Sequence, residues 1–480
     1  MANSSSLRWA SLAVAFLVSG IPAFAAKPAA PDAKTKQATA IAMRGAAFEK
    51  KGQFEKALAE YDRLVELTPK DANAYILRAS LHTTMRDYES AVADATQAIL
   101  LNPKDPDAFV ICAAAHYRWG ESQSNEGELE KAVANCTAAL ELAPNNVNAL
   151  FLRSLIRANQ EKFDDAMADL NVVVRLRPKD LDYLFQRARL NEASRRYEAA
   201  IADCDVILKR EPRSLLARFI RARSLSMLDR DKEAVLELNR IIAADSKGAD
   251  AYGLRANVYH SLGQTDRALA DINKAVELEP RVASFWAVRG SVNAKRGDFA
   301  AAEKDYSMAI DLDRTLVLAY SGRGFVHREQ KKWDDAIADF SDALRRDPAA
   351  ASSLLGRGTT YRDKGDIEAS IADFNELIRL QPRDPVALNN FAWMLATTPD
   401  ERWRDGKRAV ELATRAMEVD SSSAAILDTL AAAYAEAGDF ERAVEWQSKF
   451  VASAKLSEDE QARGKERLAL YQAGKPYHGD

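Results

Sequence analysis

The chain has 480 residues, enough for two to four globular domains or for one array that grows along a single axis. Gly and Pro are sparse, Leu and Ala are abundant, and 29% of residues are charged, a balance that favours helices throughout. Acid and base are well mixed at a formal net charge of −4, which argues against a nucleic-acid partner, since that would want a basic stripe.

The first elements in the chain are a leader and a linker. "LRWASLAVAFLVSGIPAFAA" sets Arg8 before an apolar stretch from Trp9 to Val18, followed by Gly20, Pro22 and the small-residue pattern Ala23-Phe24-Ala25. Residues 1–25 read as a secretory signal peptide cleaved after Ala25 or close by. An uncleaved N-terminal anchor is the alternative, although the stretch is short of the roughly 20 residues a span needs. The mature chain is therefore expected in an exported compartment, a periplasm by preference, and not spanning a membrane. Residues 26–37, rich in Pro, Ala and Lys, read as a linker.

From residue 38 the chain repeats itself. Prolines fall at Pro69, Pro103, Pro144, Pro178, Pro212, Pro280, Pro348 and Pro382, mostly 34 residues or twice 34 apart, with Ser246 and Arg314 at the missing registers. Each period holds two helical stretches, a turn often containing Gly, and two small residues such as Ala256 and Ala268 where the helices must cross closely. The closing proline stops the second helix. Twelve repeats result: 38–71, 72–105, 106–146, 147–180, 181–214, 215–248, 249–282, 283–316, 317–350, 351–384, 385–423 and 424–457. The third carries seven extra residues around "GESQSNEGELE" and the eleventh five around "TTPDERWRDGKR". Extended turns, extra helical turns and a partner-contact loop are the open readings. Residues 458–480 form a last helix and tail, with Ser457 and Glu460 as its capping box and Gly474-Lys475-Pro476 as its stop. Leu456, Leu468 and Tyr471 would cover the open end of the array.

One charged pair recurs with the period. Arg44, Arg78, Arg153, Arg187, Arg221, Arg255, Arg289, Arg323 and Arg357 lie sixteen residues before Glu60, Asp94, Asp169, Asp203, Glu237, Asp271, Asp305, Asp339 and Asp373. Repeats three, eleven and twelve lose both partners together, with Cys112 and Asn135, Phe391 and Leu412, and Leu430 and Trp446. Joint loss is what a contact predicts. Pairing within a repeat leaves no orphan, whereas pairing with the preceding repeat would set Asp94 against Cys112. Pairs such as Arg289–Asp305, Arg323–Asp339 and Arg357–Asp373 are read as structural, fixing helix register through two parallel hydrogen bonds. An anion-binding arginine ladder is the alternative.

"ADAYGLRANVYHSLGQTDRALADINKAVELEP" closely resembles a tetratricopeptide repeat at Tyr252, Ala256, Tyr259, Gly263, Ala268, Ala275 and Pro280. The C-terminal part, from "ALNNFAWMLATTPDERWRDGKRAVELATRAMEV" onward, looks like tetratricopeptide proteins of bacterial genomes, so with its leader the chain resembles an exported bacterial member of that family. The resemblance implies an all-α, right-handed α-solenoid whose first helices line a concave groove, with the fifth, ninth and twelfth residues of each repeat facing it. It also implies a partly buried arginine register and a role in binding protein partners. At those positions Phe151, Phe185 and Phe219 form an apolar ladder beside Arg189, Arg223 and Asn257, suited to a peptide or protein segment. Packing between helices is the other reading of the phenylalanines. The Lys and Asn clamp with which some members hold chaperone C-termini is missing: Ala42, Ala46, Ile76, Ser80, Val110 and Ala114 stand there.

No catalytic residue, metal site or cofactor is expected. His82, His116 and His327 occupy a core register, and there is no H-E-x-x-H, Cys-x-x-Cys or phosphate loop. Cys112 and Cys136 stand at registers that would allow a disulfide in an oxidising compartment, or serve as small core residues. The resulting expectation is a non-enzymatic interaction scaffold. The alternatives are a structural subunit of a cell-envelope or exopolysaccharide export assembly, and an accessory of a separate enzyme.

Overall fold

A computed structural model describes residues 33–453 and 456–479. The signal-peptide segment 1–25 lies outside the described residues, as does most of the linker. The linker's last residues are helical, however, because α1 already starts at Ala33.

All regular structure among the described residues is helical. The first six repeats comprise α1 (Ala33–Lys50) and α2 (Phe54–Leu67), α3 (Ala72–Met85) and α4 (Tyr88–Leu101), α5 (Pro106–Gln123) and α6 (Glu126–Leu142), α7 (Val147–Asn159) and α8 (Phe163–Leu176), α9 (Leu181–Ala193) and α10 (Tyr197–Arg210), and α11 (Leu215–Ser226) and α12 (Asp231–Ala244). The next six comprise α13 (Ala249–Ser261) and α14 (Thr265–Leu278), α15 (Ala283–Lys295) and α16 (Phe299–Leu312), α17 (Val317–Glu329) and α18 (Trp333–Arg346), α19 (Ala351–Lys364) and α20 (Ile367–Leu380), α21 (Pro385–Thr397) and α22 (Gly406–Val419), and α23 (Ala424–Glu436) and α24 (Phe440–Val451). A closing helix, α25, spans Glu458–Gln472. The chain divides into two compact halves, the first ending at Ala244 and the second starting at Asp245. Each half is an all-α solenoid of helical hairpins.

Local chemistry explains the hairpins. Asp71, Asp105, Asp180 and Asp384 end four of the inter-repeat turns and cap the next first helix, accepting from backbone N–H groups of its first turn. After every first helix except that of repeat eleven the chain takes one left-handed residue. Gly263, Gly297 and Gly365 supply it at no steric cost, while Arg86, Glu161, Arg195, Asp229 and Lys331 adopt it with φ of 57–66°. Within each half, a first helix packs on its own second helix and on the next first helix.

Side-chain size is matched inside the hairpins. Gly45, Gly290, Gly324 and Gly358 take the crossing position of their first helices. In the same four repeats the second helix carries an aromatic residue: Tyr61, Tyr306, Phe340 and Phe374. A Cβ on Gly324 would stand 2.9 Å from the Phe340 ring, and one on Gly356, in the next first helix, 2.4 Å. Phe340 is thus fully buried between two glycines.

The two long repeats depart differently. In repeat three the insertion lengthens both helices to 18 and 17 residues, leaving Ser124 and Asn125 as the turn. In repeat eleven it is an extended turn holding a short 3-10 helix, Glu401–Trp403. Gly406 then lets α22 meet the end of α23, where a Cβ would fall 2.5 Å from the Ala437 backbone nitrogen. At the C-terminus Ser457 and Glu460 form a reciprocal capping box. Tyr471, buried with partly buried Leu470, covers Ala431, Ala435 and Ala443.

Candidate binding surface

The repeated arginine shapes the interior next to the candidate surface. Seven of the nine arginines grip their own repeat's carboxylate with Nε and a terminal nitrogen, one to each oxygen, at 2.5–3.0 Å. Arg44, in the first repeat, directs both nitrogens at one Glu60 oxygen. Arg221 reaches Glu237 with one terminal nitrogen at 3.2 Å, and Arg218 and Arg240 share that carboxylate.

Sequence reasoning confined each arginine to its own repeat, and the geometry adds a second tie. The remaining terminal nitrogen of Arg78, Arg153, Arg187, Arg289, Arg323 and Arg357 donates to the preceding repeat: to Asp62, Thr137, Asn171, Asn273, Ser307 and Ser341. Arg221 reaches Asp205 the same way through Nε. One guanidinium therefore bonds two helices of one repeat and the second helix of the repeat before. A signal was present, because every acceptor sits two residues after the acid register and is polar.

Where the pair is missing, other groups stand in. In repeat three the His116 Nδ1 bonds the buried Glu128 at 2.6 Å, and Lys131 neutralises that carboxylate. In repeat eleven the Arg408 guanidinium lies 4.9 Å from the centre of the Phe391 ring and reaches Asn375. In repeat twelve Asp428 receives Arg467 of α25 through both oxygens at 3.0 and 2.7 Å, while Gln447 donates to it. Burial pushes the Asp428 carboxyl above its ordinary range, opposed by Arg467.

The candidate groove residues part company. Phe151 is 5% exposed and meets Tyr183 edge-on at 5.0 Å, so it is a core side chain and leaves the ladder. Phe185 and Phe219 are half-buried. Phe185 packs on Leu184, Ile207 and Ala217. The Arg223 guanidinium lies 5.8 Å from the centre of the Phe219 ring and binds Glu192 with two nitrogens. Burial lowers the pKa of Arg189, and the neighbouring Arg223 charge adds to the fall. Asn257 is exposed and belongs to the other half. What converges on α9 and α11 is two half-buried phenyl rings, the guanidiniums of Arg189 and Arg223, and the Glu192 carboxylate. Such a surface can hold an apolar side chain flanked by carboxylate or amide groups.

The cysteines are buried free thiols. Desolvation pushes Cys112 up to about 11 and Cys204 to about 12, and Cys136 higher still.

Tetratricopeptide repeat profiles match residues 42–109, 117–181, 157–210 and 323–385, and a second profile of the same repeat matches 249–282. The chain belongs to the tetratricopeptide repeat family. No curated relative matches it. Among solved structures, yeast Tom70 is similar at 17% identity over 92% of this chain and 96% of Tom70, with a TM-score of 0.44. The Cut9–Hcn1 structure of the APC/C is similar at 16% identity over 91% and 90%, with a TM-score of 0.47. A tetratricopeptide repeat protein from Parabacteroides merdae ATCC 43184 is similar at 22% identity over 53% of this chain and 98% of that one, with a TM-score of 0.45. Tetratricopeptide arrays are protein–protein interaction scaffolds, typically without catalysis of their own, and this chain shares that role. Among the described residues no helix is long and apolar enough to cross a membrane.

Proposed function

We propose that the protein is an exported scaffold that holds a peptide or protein segment against the first helices of repeats five and six. The observation that carries this reading is the pairing of half-buried Phe185 and Phe219 with the guanidiniums of Arg189 and Arg223 beside the Glu192 carboxylate. The guanidiniums suit a segment that carries carboxylate or amide groups. The rings supply apolar area that such a segment would cover. Export rests on the leader residues Arg8 to Ala25, and N-terminal sequencing of the secreted chain tests it: a mature start at Ala26 or nearby is expected.

Affinity capture with residues 27–480 from a cell-envelope extract tests the scaffold reading. One peptide-bearing partner, lost on Phe219→Ala together with Arg189→Ala, is the expected result. A stoichiometric membrane complex insensitive to both substitutions would favour a structural subunit of an envelope or exopolysaccharide export assembly. Recovery of a catalytic chain would favour an enzyme accessory.

A further inference from the structure

Residues 477–479 do not trail into solvent. Beyond α25 the chain turns at Gly474 and runs back across repeats eleven and twelve. The Tyr477 ring lies 6.1 Å from that of Trp393 and 5.5 Å from the Arg467 guanidinium. The His478 Nε2 donates to Glu436 Oε2 at 2.6 Å, and the Gly479 N–H donates to the Thr397 carbonyl at 3.1 Å.

The residues that receive the tail share one feature. Trp393 is the ninth residue of repeat eleven and Thr397 the thirteenth, and Glu436 is the thirteenth of repeat twelve. They belong to the first-helix face on which repeats five and six carry Phe185, Arg189 and Glu192. Arg467 bridges the set, 5.6 Å from the Trp393 ring and bound to Asp428, the fifth residue of repeat twelve. Arg404, from the inserted turn, donates to the other Glu436 oxygen at 2.9 Å and holds that carboxylate in place for His478. The contacts are those of a bound peptide: one ring in an aromatic–cation notch, one side chain on a carboxylate, and one main-chain N–H on a helix-end carbonyl.

We propose that the first-helix face of repeats eleven and twelve is a binding site for an extended segment carrying an aromatic residue followed by a hydrogen-bond-donating side chain, and that the chain's own residues 476–479 occupy it. A partner segment of that chemistry reaches the site only by displacing the tail. The tail is tethered within a few residues of its site, so its effective concentration is of the order of mM. To stay seated it must bind with an intrinsic dissociation constant below about 1 mM, which makes the same peptide measurable when added in trans.

The test uses the chain ending at Lys475, which keeps α25 and its stop, beside the full-length chain. The probe is an acetylated peptide of residues 475–480, followed by Trp fluorescence and calorimetry. Saturable binding to the shortened chain is expected, at least about tenfold weaker to the full-length chain and lost on Glu436→Ala in the shortened chain. Tyr477→Ala in the full-length chain should restore peptide binding without removing any residue. Absence of binding to the shortened chain up to several times the effective concentration, or equal binding to both chains, overturns the proposal. Circular dichroism on each variant separates loss of the site from loss of the fold. The surface of repeats five and six takes no part in any of these readings.

Discussion

Replacing Asp339 by Ala removes one carboxylate from a site where three groups depend on it. Asp339 is 4% exposed and accepts from Arg323 Nε at 3.0 Å and a terminal nitrogen at 2.7 Å, with His327 Nδ1 also 3.0 Å away. Without it the Arg323 charge loses its neutralising partner, which for a buried pair costs about 3–5 kcal/mol. The Arg323 side chain is 24% exposed and keeps its bond to Ser307, so water and that hydroxyl recover part of the loss. The expected destabilisation is therefore about 2–4 kcal/mol. Native-state hydrogen exchange across α17 and α18 reads it locally, which suits a repeat array better than one global midpoint. Asp334, whose side chain is 84% exposed, is the control, and Asp334→Ala should leave exchange unchanged. Replacing both Arg323 and Asp339 by Leu should recover most of the loss, since an apolar pair removes the unpaired charge. Equal effects of Asp339→Ala and Asp334→Ala would refute the reasoning.

Four further outcomes follow from the same geometry. Asp339 raises the His327 pKa above its ordinary value of 6.5, aided by Glu303 and opposed by burial; Arg323 and Lys332 are the cations nearby. A raised folded value means that the stabilisation is complete below 6.5 and fades as pH rises through the folded pKa. Exchange protection of α17 should fall across that window, and His327→Tyr, the residue that repeats seven and ten carry there as Tyr259 and Tyr361, should flatten it. Gly356→Ala should destabilise by about 1–3 kcal/mol through overpacking on Phe340, measured by urea unfolding. Lys331→Gly should stabilise by about 0.5–1 kcal/mol, because Lys331 sits at φ 59° where glycine is unstrained. Ellman's reagent at pH 8 should find no thiol in the folded chain and three after unfolding without reductant; fewer than three would reveal a bridge involving Cys112 or Cys136.

The period, the hairpins and the cap could be read from the residues because each depends on spacing that repeats. The ion pairs were legible for a related reason: Arg and acid vanish together in repeats three, eleven and twelve. The arginine's second tie was overlooked although Asp62, Asn171, Asn273, Ser307 and Ser341 marked it, since no repeat loses that partner in a telling way. The fate of the phenylalanines was not legible. Phe151, Phe185 and Phe219 share one register, yet Phe151 is buried because Tyr183 of the next repeat closes over it. That outcome depends on one neighbour's size, which periodicity does not encode. Arg467 on Asp428 spans 39 residues between elements with no repeat to align them, and the tail's return to Thr397 is a main-chain bond that carries no sequence mark.

The Arg–carboxylate forks act like a row of stitches, each thread passing from one hairpin back into the one before. Cys112 drops one stitch, so the seam between α4 and α5 is closed there by apolar packing and by Thr96 beside the thiol. A tear that ran along that seam would cut no thread at the Cys112 register. The two hairpins before it and the hairpins after it, from α5 to α12, would each stay sewn together.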